Sequence, residues 1–238
     1  MGKKLVWPLI TLISFTLATF SIQLLFKRWD QTAIIMVSLL AHELGHMAAF
    51  AVYGVTCHLI AIPFLGAGAI PTDQKAFAGF SDFRKSVAVL AGPVVNLVLM
   101  FAGFAIAGSD RPLGLTIAGI NASLAAFNLL PISITDGGRF AKALFASLNE
   151  ENDLKVALTA SVLALIMALS LGLAGKFVYF PILLAIFFQR GAKQDNPRET
   201  YAPGAMNLKT ATVMLAVYTV TLVPAYLATI FLPNWRGL

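Results

Sequence analysis

Residues 5–26 run without a single charged side chain, and stretches almost as apolar recur at 32–53, 86–107, 113–131, 155–174, 177–189 and 206–232. A helix of about 20 apolar residues spans the hydrocarbon core of a bilayer. This constrains the fold more than any other feature. In hydrocarbon every backbone N–H and C=O needs a partner within the protein, so spanning segments are helices or the strands of a closed barrel. The length of these runs predicts helices. The run at 177–189 is short and carries Pro181, so it reads as a full span or as a tilted, partly re-entrant piece. Pro224 is expected to kink the last run. The expected fold is an all-α polytopic membrane protein of about six to seven transmembrane helices.

Charge supports a bilayer setting and gives an orientation. Charged residues make up 12% of the chain, about half the share of a soluble domain. With a cytoplasmic N-terminus and seven spans, twelve of the 17 Lys and Arg residues fall inside and five outside, the bias expected of cytoplasmic loops. The net charge of +6 therefore implies no nucleic-acid partner; no basic cluster is interleaved with aromatics. A single cysteine, Cys57, excludes an internal disulfide and a thiolate metal cluster. The apolar N-terminal run lacks a small-residue cleavage pattern before a polar domain, so it is expected to be a retained span. The loop at 54–83 contains "CHLIAIPFLGAGAI", apolar, β-branched and broken by Pro63, Gly66 and Gly68. It reads as a β-hairpin or re-entrant loop at the membrane. The whole chain, 1–238, is expected to form one domain, with a core at about 30–142 and C-terminal helices at about 155–232.

Inside the second run stands "AHELGH", residues 41–46. His42 and His46 are four residues apart, so on a helix they share a face and both imidazoles can meet one metal ion. Glu43 is one residue on, about 100° around, within reach of the same ion's surroundings. Ionisable residues in a span cost about 2.5 kcal/mol or more each on insertion scales, and metal coordination offsets that cost with bonds that lipid cannot offer. The bland reading is a buried His–Glu network joining two helices. A catalytic zinc ion usually takes three protein ligands and leaves one position open, so a third is sought. His58 is one candidate, although a lone histidine at a membrane edge is usually only interfacial. Asp136, in "FNLLPISITDGGRF" (127–140), is better placed. The second and fourth runs point the same way, and the turn broken by Pro131, Gly137 and Gly138 can fold back to the depth of the histidines. Spacing alone allows Asp136 to be a ligand or a helix N-cap.

Two asparagines interrupt apolar runs. Asn96 in "AGPVVN" (91–96) needs a partner for its amide. It reads as an interhelical hydrogen bond or as a donor to a substrate carbonyl, and Asn128 invites the same two readings. Gly92 lets another group approach its helix closely.

Together these segments resemble the site-2 protease family of intramembrane zinc metalloproteases. "HELGH" matches its H-E-x-x-H span, "NLLPISITDGG" its Asn-x-x-Pro-x-x-x-x-Asp-Gly signature, and "AGPVVN" its Gly-Pro-x-x-Asn element. The resemblance covers about residues 30–142. It implies one Zn2+ ion held by His42, His46 and Asp136, with Glu43 activating water, and Asn96 and Asn128 binding the substrate backbone. It also implies that the hairpin can pair with an unwound substrate strand. No PDZ-sized insert lies between the motifs and no CBS-type domain is expected after them, so regulation by such domains is not carried over. "ISIT" stands where a proline-rich stretch is frequent in the family. The implied partners are the bilayer and a transmembrane segment of a membrane-protein substrate. A regulatory membrane partner or a homo-oligomer is left open by the sequence. The implied location is a prokaryotic plasma membrane, with the site toward the cytoplasmic face. The competing reading is a transporter or channel using the His/Glu/Asp cluster as a metal or proton relay. It requires polar residues spread over several spans, and the remaining spans are almost bare.

Overall fold

The computed structural model describes residues 3–64, 66–130, 135–146 and 206–232. The expected runs at 155–174 and 177–189 lie outside the described residues. The described part is mostly helical, with one small sheet: α1 (Lys3–Phe26), α2 (Trp29–Val52), β1 (Cys57–Ile62), β2 (Gly66–Pro71), α3 (Gln74–Ala78), α4 (Asp82–Ile106), α5 (Arg111–Asn128), α6 (Asp136–Ala146) and α7 (Leu208–Phe231).

Local signals set the helix ends. Ser81, Asp110 and Asn207 cap α4, α5 and α7, each side-chain oxygen accepting from the backbone N–H three residues on. The end of α2 is a Schellman turn: Gly54 N–H donates to Ala51 C=O, and Val55 N–H to Phe50 C=O. Gly54 sits there at φ +78°, a left-handed conformation that a glycine adopts without strain. Val55 and Phe50 close the turn with an apolar contact. The chain is thus turned out of α2 directly into the sheet.

β1 and β2 form an antiparallel pair in register from Cys57↔Pro71 to Ile62↔Gly66. The apolar loop expected as a hairpin or re-entrant segment is a hairpin. Its first strand does not present a free edge along its middle. Thr11 Oγ1 on α1 donates to Leu59 C=O at 2.6 Å, and Ala61 N–H donates to Ser14 Oγ at 3.1 Å. Trp7 stacks on His58 with ring centroids 4.0 Å apart. These contacts fasten α1 along the outer side of β1, while β2 lies against α2. Burial pushes the Cys57 thiol pKa up.

Four helices, α1, α2, α4 and α7, are long and apolar enough to cross a membrane. About 11% of the spanning window is buried in α1 and 22% in α7, against 39% in α2 and in α4, so α2 and α4 form the interior and α1 and α7 face outward. The expected span at 113–131 folds as the helix α5, yet it is not among those four. The reason is physical. α5 packs against α2, α4 and α7, and its buried residues include Gly114, Thr116, Gly119 and Asn121. A helix enclosed by protein need not be apolar all round. Small residues bring α4 and α5 close: a Cβ on Gly114 would lie 2.2 Å from Ala107 N. The described residues therefore hold four helices of membrane-spanning character, and the larger number read from the sequence depends on α5 and on segments outside them.

Candidate metal centre

His42 and His46 lie on the inner face of α2, and Asp136 is the first residue of α6. All three are buried, between 3% and 7% exposed. His42 Nε2 is 3.1 Å from His46 Nε2 and 3.1 Å from Asp136 Oδ2, and His46 Nε2 is 3.2 Å from Asp136 Oδ2. The three atoms make a nearly equilateral triangle. A tetrahedral zinc ion with bonds of about 2.0–2.1 Å has ligand–ligand edges of about 3.3–3.4 Å, so the triangle is close to one face of such a site.

The hydrogen bonds behind the rings decide what the triangle presents. His46 Nδ1 lies 2.7 Å from the Ala88 carbonyl, which can only accept; Nδ1 therefore carries the proton and Nε2 a lone pair. Pro93, inside α4, cannot donate to the carbonyl of Val89, the residue after Ala88. His42 Nδ1 lies 2.5 Å from Asn96 Oδ1, and the same reasoning leaves its Nε2 as a lone pair. Two imidazole lone pairs and a carboxylate oxygen thus converge at hydrogen-bond distance with no proton assigned between them. That donor set suits a zinc ion. The space in front of the rings is kept by Gly92. A Cβ there would lie 2.4 Å from His46 Nε2 and 2.7 Å from His42 Nε2, so any side chain would occupy the mouth of the triangle.

Asp136 is held in place by its turn and by α7. Thr135 Oγ1 donates to Leu130 C=O at 2.5 Å and accepts from Gly138 N–H at 3.4 Å, which caps α6. Asp136 follows at the first position, where a carboxylate is favoured by the helix dipole. A Cβ on Gly137 would lie 2.2 Å from Leu129 O, so the "DGG" turn is packed directly on the end of α5. Tyr218 on α7 donates its hydroxyl to that same Leu129 carbonyl and stacks on Phe140 of α6, centroids 4.9 Å apart. The exposed Arg139 guanidinium stands 3.9 Å from Asp136 Oδ1.

Glu43 is buried at 4% exposure, and the Ala69 N–H of β2 reaches its carboxylate. His58 stacks on Trp7 and is not in the group that brings His42, His46 and Asp136 together. Asn96 is fully buried. Besides its bond to His42, its Nδ2 donates to Asn121 Oδ1 at 2.9 Å and points to Ser38 C=O at 3.4 Å. Of its two sequence readings, the structure displays an interhelical network. Asn128 is half-buried and donates to Leu124 C=O of its own helix at 3.1 Å. Asn121 and Ser38 escaped the sequence reading, although Ser38 lies four residues before His42 and so shares its face.

The fold and site define a helical integral membrane protein with a buried two-histidine, one-carboxylate group that can hold a metal ion. Residues 107–171 match peptidase family M50. The chain is also 35% identical over 118 residues to a candidate zinc metalloprotease of Synechocystis sp., covering 47% of this chain and 30% of that protein. It is 31% identical over 169 residues to a zinc metalloprotease of Methanocaldococcus jannaschii, covering 68% of this chain and 48% of that protein. No solved structure matches. These matches support membership of peptidase family M50, the site-2 protease family. The chain spans less than half the length of either relative.

Proposed function

We propose that the chain is an intramembrane zinc metalloprotease that hydrolyses a peptide bond within or near a transmembrane helix of a membrane-protein substrate. The observation that carries this reading is the triangle of His42 Nε2, His46 Nε2 and Asp136 Oδ2, with edges of 3.1–3.2 Å, next to Glu43 inside a membrane-spanning helix. The names of both relatives support it. When bound, zinc supplies the Lewis acidity that lowers the pKa of water and polarises a carbonyl. Glu43 takes a proton from the attacking water and passes it to the leaving amine. Its position beside the outer backbone of β2 supports an extended substrate strand laid along that edge, because α1 already occupies the outer side of β1. A substrate helix must unwind first, since its carbonyls are hydrogen-bonded internally. Helix-weakening residues near the cut are therefore part of the proposal. The positive-inside charge balance supports a cytoplasmic N-terminus in a prokaryotic plasma membrane, with the site toward the cytoplasmic side.

The test combines zinc content with cleavage of a reconstituted single-span peptide carrying Gly and Pro near its middle. Wild type is expected to hold about one zinc and to cut. Asp136→Ala should lose zinc and activity, whereas Glu43→Gln should keep zinc and lose activity. A Leu-rich peptide should resist cleavage. Wild-type protein without zinc, or Glu43→Gln cutting at the wild-type rate, would overturn the reading.

A further inference from the structure

The proton on His46 is fixed by a backbone carbonyl, but the proton on His42 is fixed by a carboxamide, and a carboxamide can turn over. If Asn96 rotated by half a turn, its NH2 would face His42 Nδ1. The imidazole proton would then sit on Nε2, and the lone pair needed at the centre would be gone. The orientation of Asn96 therefore matters as much as its presence.

The structure shows what holds that orientation. Asn121 Nδ2 donates to the Ile117 carbonyl at 2.9 Å and to Ser38 Oγ at 3.0 Å. Ile117 C=O can only accept, so the NH2 end of Asn121 is fixed on that side. Its Oδ1 is then turned toward Asn96, at 2.9 Å. An oxygen there requires the NH2 end of Asn96, which leaves Asn96 Oδ1 facing His42 Nδ1 at 2.5 Å. Each step follows from the one before. A main-chain carbonyl on α5 thus dictates, through two side chains, the nitrogen that His42 offers at the centre. The chain is sealed from solvent: Asn96 is 0%, Asn121 1% and Ser38 3% exposed. Water cannot substitute for a missing partner.

We propose that Asn121 is a positioning residue of the metal centre, which orients the Asn96 carboxamide between α5 and α2 and thereby leaves His42 Nε2 free to ligate. The proposal rests on the zinc site of the preceding section. It assigns α5 a part in the centre although none of its residues belongs to the ligand triangle.

The experiment measures zinc affinity of the full chain in detergent by competition with a chelator. Asn121→Leu removes the acceptor that Asn96 needs and should weaken zinc binding by about 10–100-fold, the usual cost of losing an outer partner of a metal ligand. Asn96→Asp gives up the donations to Asn121 Oδ1 and Ser38 C=O but should still bind zinc, since either carboxylate oxygen accepts from Nδ1. The decisive arm adds Asn121→Leu to Asn96→Asp. A carboxylate has no wrong orientation, so the second change should now alter affinity by less than about threefold. If Asn121 merely packs α5 against its neighbours, the loss will be as large in both backgrounds, and the proposal is wrong. It is equally wrong if Asn121→Leu alone binds as wild type does. Should that variant not fold, Asn121→Asp takes its place. Its carboxylate still accepts from Asn96 but donates to neither Ile117 nor Ser38, so affinity should stay within about threefold of wild type; a tenfold loss overturns the proposal. Wild-type protein with no measurable zinc affinity removes the metal site itself, an outcome read in the first arm and distinct from the others.

Discussion

Gly92→Ala separates the metal centre from the fold more cleanly than any ligand substitution. The added methyl would lie 2.4 Å from His46 Nε2, 2.7 Å from His46 Cε1 and 2.7 Å from His42 Nε2. Comfortable carbon contacts fall at about 3.5–4.0 Å, so both rings would have to retreat by roughly 1 Å. They cannot retreat freely. His42 is held by Asn96 and His46 by the Ala88 carbonyl. Metal ligands tolerate displacements of about 0.2 Å, several times less than the shift required. The fold itself should gain and lose in similar measure. Alanine favours a helix interior over glycine by about 1 kcal/mol, and overpacking costs about 1–3 kcal/mol. The three nearest neighbours of the new methyl are atoms of the two imidazoles. The expected result is a folded, helical protein whose zinc affinity falls by more than about 100-fold, beyond the range of outer-partner losses. Chelator competition gives the affinity, and thermal unfolding of the metal-free protein in detergent gives the stability. Wild-type zinc affinity in Gly92→Ala would refute the placement of the ion at the Nε2 triangle. An unfolded variant would refute the claim that the clash is confined to the rings.

Other consequences follow from the contacts around the centre. Tyr218→Phe leaves the Leu129 carbonyl without its α7 partner; it should destabilise the protein by about 1–3 kcal/mol and lower zinc affinity through the Asp136 turn, as read by thermal unfolding and chelator competition. Thr11→Val with Ser14→Ala should free the outer side of β1, seen as faster hydrogen exchange at Ala61 with zinc content unchanged. Gly114→Val places a side chain against Ala107 N and should drive α4 and α5 apart, at a cost of about 1–3 kcal/mol or more; unaltered thermal stability would argue against that helix contact.

Residue spacing made much of the site legible. The i, i+4 histidines and the glutamate between them declared their helix face, and the fold-back after the fourth run brought Asp136 within reach, because both features depend on local chain geometry. The apolar, glycine-rich loop was legible as a hairpin or a re-entrant segment for the same reason, and the structure forms the hairpin. What stayed hidden depends on pairings distant in sequence. Asn121 and Ser38 are 83 residues apart, and a lone asparagine in an apolar run does not disclose its partner. α5 carries a weaker apolar signal than the other spans because an enclosed helix can carry polar and small residues that a lipid-facing one cannot. Gly92 was recognisable as a point of close approach, but the approaching groups proved to be the two imidazoles. The fastening of α1 to β1 uses Thr11 and Ser14, residue types that in most membrane helices only bond back to their own carbonyls, as Thr16, Thr19 and Ser21 do here.

A pattern unites these buried polar groups. Each line of hydrogen bonds running to an imidazole starts from a backbone carbonyl: Ala88 for His46, and Ile117, through two asparagines, for His42. A carbonyl accepts and never donates, so it imposes one direction on everything bonded to it. Side-chain hydroxyls could reverse, and a network built on them alone would allow either nitrogen of each ring to point inward. In lipid the choice is stark, because a wrongly directed group finds no water to satisfy it. The helices that supply these carbonyls, α4 and α5, are therefore more than supports. Their backbone direction determines that both imidazoles turn lone pairs toward Asp136, an arrangement that is unfavourable for three electron-rich atoms 3.1–3.2 Å apart until a cation joins them.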